Sequence, residues 1–228
     1  CWSCGEHGDC FTWVMKRQNV DFVEALKLLA HEAGIELKAR GPVVPPSVRE
    51  AQDAAMRAAL DFFRSAVGRS PAARDYLAGR AIDAETVERW EIGYAPAGGE
   101  ELAAHLKRTG HSLALGKELF LVDGDERSGY QDKFRGRLIF PIRDEKGHLV
   151  AFGGRIVGTG MPKYINSSDT PLYRKSRVLY GLDRGRDALG KERHAVLCEG
   201  YVDVVACHRA GVATAVASLG TALSTDHA

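Results

Sequence analysis

The stretch from Lys133 to Tyr164, KFRGRLIFPIRDEKGHLVAFGGRIVGTGMPKY, constrains the fold of this chain more than any other. It reads as two β-strands around a polar turn. Leu138-Ile139-Phe140-Pro141-Ile142 is apolar and β-prone, Asp144-Glu145-Lys146-Gly147 interrupts it, and Leu149-Val150-Ala151-Phe152 resumes it. Cations gather along this hairpin: Lys133, Arg135 and Arg137 before the first strand, Arg143 after it, Arg155 after Gly153-Gly154, and Lys163 before Tyr164. An extended backbone turns successive side chains to opposite faces, so Lys133, Arg135 and Arg137 are expected on one face. Three like charges in a row repel one another if buried, so that face is expected to meet solvent or phosphate.

A second pattern lies near the end of the sequence. His194 to Cys198 reads as a short strand, Glu199-Gly200-Tyr201-Val202-Asp203 as an acidic turn, Val204 to Ala210 as a helix, and Ala213 to Ala217 as another strand. Strand, turn, helix, strand is a βαβ unit and implies a parallel sheet. Chemistry in such sheets gathers at the carboxyl ends of the strands, here Glu199 and Ser218 to Thr221. A carboxylate beside a glycine at a strand end is placed to hold Mg²⁺, a hard cation that takes oxygen ligands and fills its other positions with water or phosphate. Asp203, four residues on, either faces the same opening or caps the helix. One carboxylate is too few for a two-metal phosphoryl-transfer site, so partners are needed. Cys198 and Cys207 read as core thiols, His194 and His208 as surface positions, and no Ser/His/Asp arrangement stands out.

The chain opens on Cys1-Trp2-Ser3-Cys4-Gly5, a CxxCG knuckle whose two thiolates suit one tetrahedral metal. Structural zinc needs four ligands, and the remaining two are expected upstream; His7 and Cys10 as local ligands, and a redox CxxC, are the alternatives. Five cysteines, three of them in the first ten residues, suit a reducing cytosol and a metal site. Asp9 to Arg17 and Asp21 to Gly34 read as two helices packing beside the knuckle, with Asp21 and Glu24 forming a cap. The Pro-rich stretch Arg40 to Ser47 reads as a linker. Beyond it come helices over Val48 to Val67, Ala72 to Leu77, Ala84 to Trp90 and Glu100 to Thr109, with Arg69, Arg74 and Arg80 expected on a solvated face. Lysine and arginine total 31 against 30 acidic residues, a net charge of +1, so any nucleic-acid contact must come from local clustering. No stretch approaches the ~20 apolar residues of a membrane span, and no signal peptide is visible. The start on Cys1 and the stop at Ala228 after an apolar run read as an internal fragment.

At the level of whole motifs the resemblance becomes specific. CWSCGEHGD with HEAGI, then RDYLAGRAI, ERWEIGYAP, KFRGRLIFPIRD, GHLVAFGGR, PKYINS, TPLYRKSRVLYGLD, CEGYVDVVACHRAG and VASLGTALS follow one another in the order and spacing of the bacterial-type replicative DNA primases. The chain resembles that family over nearly its whole length. The resemblance implies an α/β fold: a truncated zinc ribbon with short helices over 1–39, a linker over 40–47, an α+β amino-terminal subdomain of the polymerase core over 48–190, and the start of a Toprim-like parallel βαβ domain over 191–228. It implies synthesis of short RNA primers from ribonucleoside triphosphates on single-stranded DNA, with an RNA primer–DNA hybrid as product, zinc and Mg²⁺ as cofactors, and a cytoplasmic setting at the replisome. Helicase and single-strand binding protein are the partners it implies.

Carried over by motif, Cys1 and Cys4 match the last two zinc ligands, the first Cys and the His of the set falling before Cys1, and His7 and Cys10 match none. Glu199 matches the Toprim acid, with Asp203 beside it. Arg155, Lys163, Tyr164 and Lys175 match positions lining the nucleic-acid and nucleotide groove, with Arg135 and Arg137 close by. The family's Asp-x-Asp metal pair is expected tens of residues beyond Ala228, and Asp226 does not replace it. The isolated chain is accordingly expected to bind single-stranded DNA weakly and to make no primers. Two other readings compete: another Toprim enzyme, such as a nuclease or topoisomerase, and a non-catalytic single-stranded DNA-binding module.

Overall fold

A computed structural model of the chain describes residues 7–35 and 45–220. Cys1, Cys4, most of the expected linker and Asp226 lie outside those residues. The chain divides into two compact units, Cys1–Pro45 and Pro46–Ala228. No helix among the described residues is long and apolar enough to cross a membrane.

In the first unit, helix α1 (Cys10–Gln18) and helix α2 (Phe22–Glu32) start where the sequence supplies an acceptor for their free N–H groups. Asp9 accepts from the Thr12 amide and Asp21 from the Glu24 amide, both at 2.9 Å. Each such cap satisfies one of the N–H groups left free at the start of a helix. Asn19 in the left-handed region (φ 54°) ends α1, and Phe11 and Phe22 pack with ring centroids 5.3 Å apart.

The second unit begins with the long helix α3 (Pro46–Val67), followed by α4 (Pro71–Gly79) and α5 (Ala84–Arg89). Ser70 caps α4 and Asp83 caps α5, with proline at the first turn of α4. Strand β1 (Gly93–Ala95) and helices α6 (Glu101–Arg108) and α7 (Leu113–Glu118) lead to a small hairpin, β2 (Val122–Asp125) and β3 (Gly129–Asp132). The long hairpin follows as β4 (Arg137–Arg143) and β5 (Leu149–Ile156), antiparallel, with Phe140 opposite Gly153. Strand β6 (Tyr164–Asn166) then pairs with β5, giving a sheet of order β1-β4-β5-β6. Pro141 is tolerated because β1 reaches only from Arg137 to Ile139, so no partner on that side needs its missing N–H.

Alternation in β4 feeds two cores. Leu138, Phe140 and Ile142 join Leu77, Trp90, Tyr201, Val204 and Val205 on one face. Ile139, with Phe152 of β5, joins Ala59, Phe63, Leu102 and Leu106 on the other. Helices therefore cover both sides of the sheet, and the expected open face of cations does not form. Gly136, in the left-handed region at φ 59°, breaks the extended backbone just before β4 and ends the alternation. Lys133 pairs with Asp123 and lies 5.1 Å from the Phe120 ring, and Arg135 is exposed beside Gln131. Arg137 is only 4% exposed.

After a 3-10 turn at Lys175–Arg177 and helix α8 (Leu182–Glu192) comes the βαβ unit: β7 (Val196–Cys198), α9 (Tyr201–Arg209) and β8 (Ala215–Ala217), the two strands parallel. Helix α9 begins at Tyr201, three residues earlier than its apolar pattern indicates. His208 is not a surface residue: it is half-buried, edge-on to Trp90 at 5.1 Å, with Nε2 2.9 Å from the Ala215 carbonyl.

Candidate functional site

The sheet and the βαβ unit meet along one cleft of about 410 Å³. Its walls are Tyr76 of α4, Arg80 just beyond it, Arg155 of β5, Lys163, Tyr164 and Asn166 of β6 and its approach, residues 199–203, and Leu219 and Gly220 after β8. Cations and aromatic rings thus face the carboxyl ends of two parallel strands.

Two glycines set up the cationic wall. A Cβ on Gly153 would lie 1.9 Å from the Tyr201 hydroxyl, and one on Gly154 2.7 Å from the Phe134 ring. The bare Cα of Gly153 lets Tyr201 close down on the sheet, where it stacks on Phe140 of β4 at 4.9 Å and 8°, and that of Gly154 makes room for Phe134 and Arg137 on the other face. Burial raises the Tyr201 pKa well above its ordinary value, so its hydroxyl keeps its proton and donates to Asn166 Oδ1. Asn166 Nδ2 in turn donates to the Leu219 carbonyl at 2.8 Å. Tyr201 directly follows Glu199-Gly200, so this bridge ties both parallel strand ends to β6.

Arg155 leads the cationic wall. Its guanidinium carbon sits 4.2 Å from the centre of the Tyr76 ring and 5.6 Å from that of Tyr164, and Nε donates to the Tyr164 hydroxyl at 3.1 Å. Lys163 lies 5.9 Å from the Tyr164 ring and Arg80 5.7 Å from that of Tyr76. On the opposite wall Glu199 is exposed at the end of β7. Asp203 stands in the first turn of α9; Gly200 occupies the cap position without a side-chain bond, so Asp203 does not cap the helix. A carboxylate in that turn is favoured by the helix dipole.

Of the residues singled out in the sequence, the cleft gathers Arg155, Lys163, Tyr164, Glu199 and Asp203. Three stand elsewhere. Arg137 is spent on backbone carbonyls, donating to Pro162 at 2.8 Å, Lys163 at 3.2 Å and Gly154 at 3.5 Å. It braces the segment carrying Lys163 from beneath instead of reaching the cleft. Arg135 lies near Gln131 and Gly99. Lys175 opens the 3-10 turn, its amide donating to Asp169 at 3.0 Å, and does not line the cleft. Tyr76 and Asn166 escaped the sequence reading, and Arg80, expected on a solvated face, is exposed but lines the cleft. The signal for Tyr76 and Arg80 was their i, i+4 spacing, which sets an aromatic ring and a cation on one helix face.

Glu199 and Asp203 offer hard oxygen donors, which suit Mg²⁺ when phosphate and water complete its shell. Among the described residues no group of three or more His, Cys, Asp or Glu side chains gathers to hold a metal. Cys198 and Cys207 face each other with sulfurs 3.9 Å apart; burial first, and Cys207 second, push the Cys198 thiol up to about 11, so it is protonated and unreactive at neutral pH.

Residues 62–186, more than half of the chain, match the sequence model of the DNA primase catalytic core, N-terminal domain. Residues 1–43 match the CHC2 zinc finger and residues 193–228 the Toprim domain. The DNA primase of Deinococcus radiodurans is 41% identical over the whole of this chain, which spans 39% of that protein's length. The RNA polymerase domain of Mycobacterium tuberculosis primase DnaG, solved with a double-stranded DNA oligomer bearing a 6-nucleotide overhang, superposes with a TM-score of 0.73 at 37% identity, over 78% of this chain and 57% of that one. The Aquifex aeolicus primase structure, with zinc-binding and RNA polymerase domains, matches 99% of this chain and 55% of its own, with a TM-score of 0.72 and 31% identity.

Proposed function

The chain belongs to the DNA primase family, and we propose that it serves template-directed synthesis of short RNA primers from ribonucleoside triphosphates on single-stranded DNA. The observation that carries this reading is the meeting of Arg155, Lys163 and Tyr164 with Glu199 and Asp203 in one cleft, although Arg155 and Glu199 lie 44 positions apart in the chain. One wall suits a phosphate backbone and a triphosphate; the other suits the metal that such a reaction uses.

Arg155, Lys163 and Arg80 would hold phosphates of the strand or the nucleotide, contacts that are independent of base sequence and weaken with salt. Tyr164, 39% exposed, presents a ring on which a base can stack. Glu199, with Asp203 behind it, would supply carboxylate oxygens to Mg²⁺. When bound, that cation would offset the charge of the triphosphate and favour in-line attack by a 3′-hydroxyl. Arg135, Arg137 and Lys175 remain candidate groove residues by motif alone. For Arg137, the burial and three backbone bonds support a bracing role.

Zinc belongs to the amino-terminal unit in this reading, with Cys1 and Cys4 as ligands, supported by the CxxC spacing and the zinc-finger match. His7 and Cys10 are exposed at the foot of α1. The matches over 62–186 and 193–228 support residues 48–190 as the amino-terminal subdomain of the core and 191–228 as the start of a Toprim domain. Helicase and single-strand binding protein complete the proposed setting.

Binding of a labelled nucleoside triphosphate, with and without Mg²⁺, tests the two walls separately. Glu199→Gln should abolish the Mg²⁺-dependent part of binding and leave binding of single-stranded DNA in EDTA unchanged. Equal loss of both would contradict the assignment of the two walls.

A further inference from the structure

Arg155 is unusual among the cations of this fold. It is 7% exposed, yet among the described residues it has no carboxylate partner and a single hydrogen-bond acceptor, the Tyr164 hydroxyl, which takes only Nε–H. The four N–H groups on its terminal nitrogens are left over. A nearly buried cation without a counter-ion is costly, and the fold offsets that cost with aromatic faces instead of charge. Tyr76 contributes the closer one, at 4.2 Å. The Tyr76 hydroxyl plays no part in holding it: it is buried with no hydrogen-bond partner at bonding distance. Burial raises its pKa against the pull of Arg155 and Arg80, so the ring is neutral and keeps its electron-rich face.

We propose that Tyr76 is a positioning residue: its ring face clamps Arg155 so that the unused N–H edge is presented to one phosphate group in the cleft. A planar guanidinium pre-set in this way loses little freedom on binding, and its paired donors match phosphate oxygens, which a lysine does not reproduce. A carboxylate in place of Tyr76 would neutralise Arg155 and compete with the ligand, whereas a ring holds the charge and leaves it available. This inference rests on the cleft being the nucleic-acid site, and it adds a residue from α4 whose contact with the ligand is indirect.

The test is anisotropy of a labelled single-stranded oligodeoxynucleotide over a salt series, with the variants Arg155→Met, Tyr76→Leu, Tyr76→Phe and the double Tyr76→Leu/Arg155→Met. Arg155→Met is expected to weaken binding and to lower the slope of log K against log salt by about 0.7, one phosphate on a single strand. Tyr76→Leu should weaken binding by roughly five- to tenfold, an effect on the scale of a lost cation–π contact, and Tyr76→Phe should rescue it. The double variant should bind no worse than Arg155→Met alone, because Tyr76 acts through Arg155. Tyr76→Met, flexible and apolar, replaces Tyr76→Leu if that protein does not fold. Additive losses, or full binding by Tyr76→Leu, would overturn the clamp and leave the cleft assignment standing. Unchanged binding by Arg155→Met would overturn the cleft assignment itself.

Discussion

At the scale of single residues, two arginines of the same hairpin have opposite roles, and their burial alone does not tell them apart. Arg137 gives its N–H groups to three backbone carbonyls and has no donor edge facing the cleft. Arg155 keeps four N–H groups unspent among the described residues. Arg137→Ala should therefore cost stability, about 2–4 kcal/mol for a lost buried side chain and its hydrogen bonds, measured by urea unfolding. Arg155→Ala should cost DNA binding first. Glu199 is the converse case. It is exposed, with no hydrogen bond or ion pair among the described residues, so Glu199→Gln should stay within about 0.5 kcal/mol of the parent in stability while metal-dependent nucleotide binding is lost. The place of Glu199 at a strand end was legible in the sequence, because an apolar run precedes it and a glycine follows it. Alternation misplaced Arg137, because the rule needs an extended backbone and Gly136 departs from it. Tyr76 was passed over and Arg80 read as solvated, because an aromatic–cation pair at the end of a helix is usually a solvated face.

At the scale of elements, the long hairpin, the βαβ unit and the capped helices were legible, since each carries its own signal in apolar alternation, strand spacing or an acceptor before a helix. The short elements α7, β2, β3 and β6 were not: α7 is only six residues long, the strands of the small hairpin, VDGD and GYQD, carry no apolar alternation, and β6 is three residues held by β5. Nor was the cap of helix α6. Its own cap position, Glu100, makes no side-chain cap bond; instead Asp132 of β3 accepts from the Leu102 and Ala103 amides, both at 2.9 Å, from thirty residues away. Burial raises the Asp132 pKa from its ordinary 3.8 despite those two donors. The neutral form is therefore favoured by folding, and the group's contribution is fully present below pH 3.8 and is lost as the pH rises through the raised value. Asp132→Asn keeps an acceptor without the charge, so its stability relative to the parent should climb over that window, as followed by thermal melts at several pH values. Gly153 tests the other contact between elements. Gly153→Ala would drive a methyl into Tyr201, and should cost at least 1–3 kcal/mol, the range for an overpacked core, and weaken nucleotide binding through displacement of the Glu199 turn.

At the scale of the whole molecule, net charge is nearly zero, so attraction for nucleic acid must come from local clusters of cations, and the cleft is the one proposed. Three cations line that cleft, Arg80, Arg155 and Lys163, and the dependence of single-stranded DNA binding on salt should be correspondingly shallow. At about 0.7 per phosphate contacted, the slope is expected near −2. The central claim is that this cleft, and not another hollow of the surface, receives the strand. A larger hollow of about 550 Å³ exists between α6, α7 and the small hairpin, lined by Lys107, His111 and Tyr130 among others. Crosslinking with a photoreactive single-stranded oligonucleotide, mapped by peptide mass, separates the two most directly. Crosslinks on residues 155–166, with Tyr164 foremost, are the expected result; crosslinks on residues 107–130 with none at Tyr164 would contradict the account.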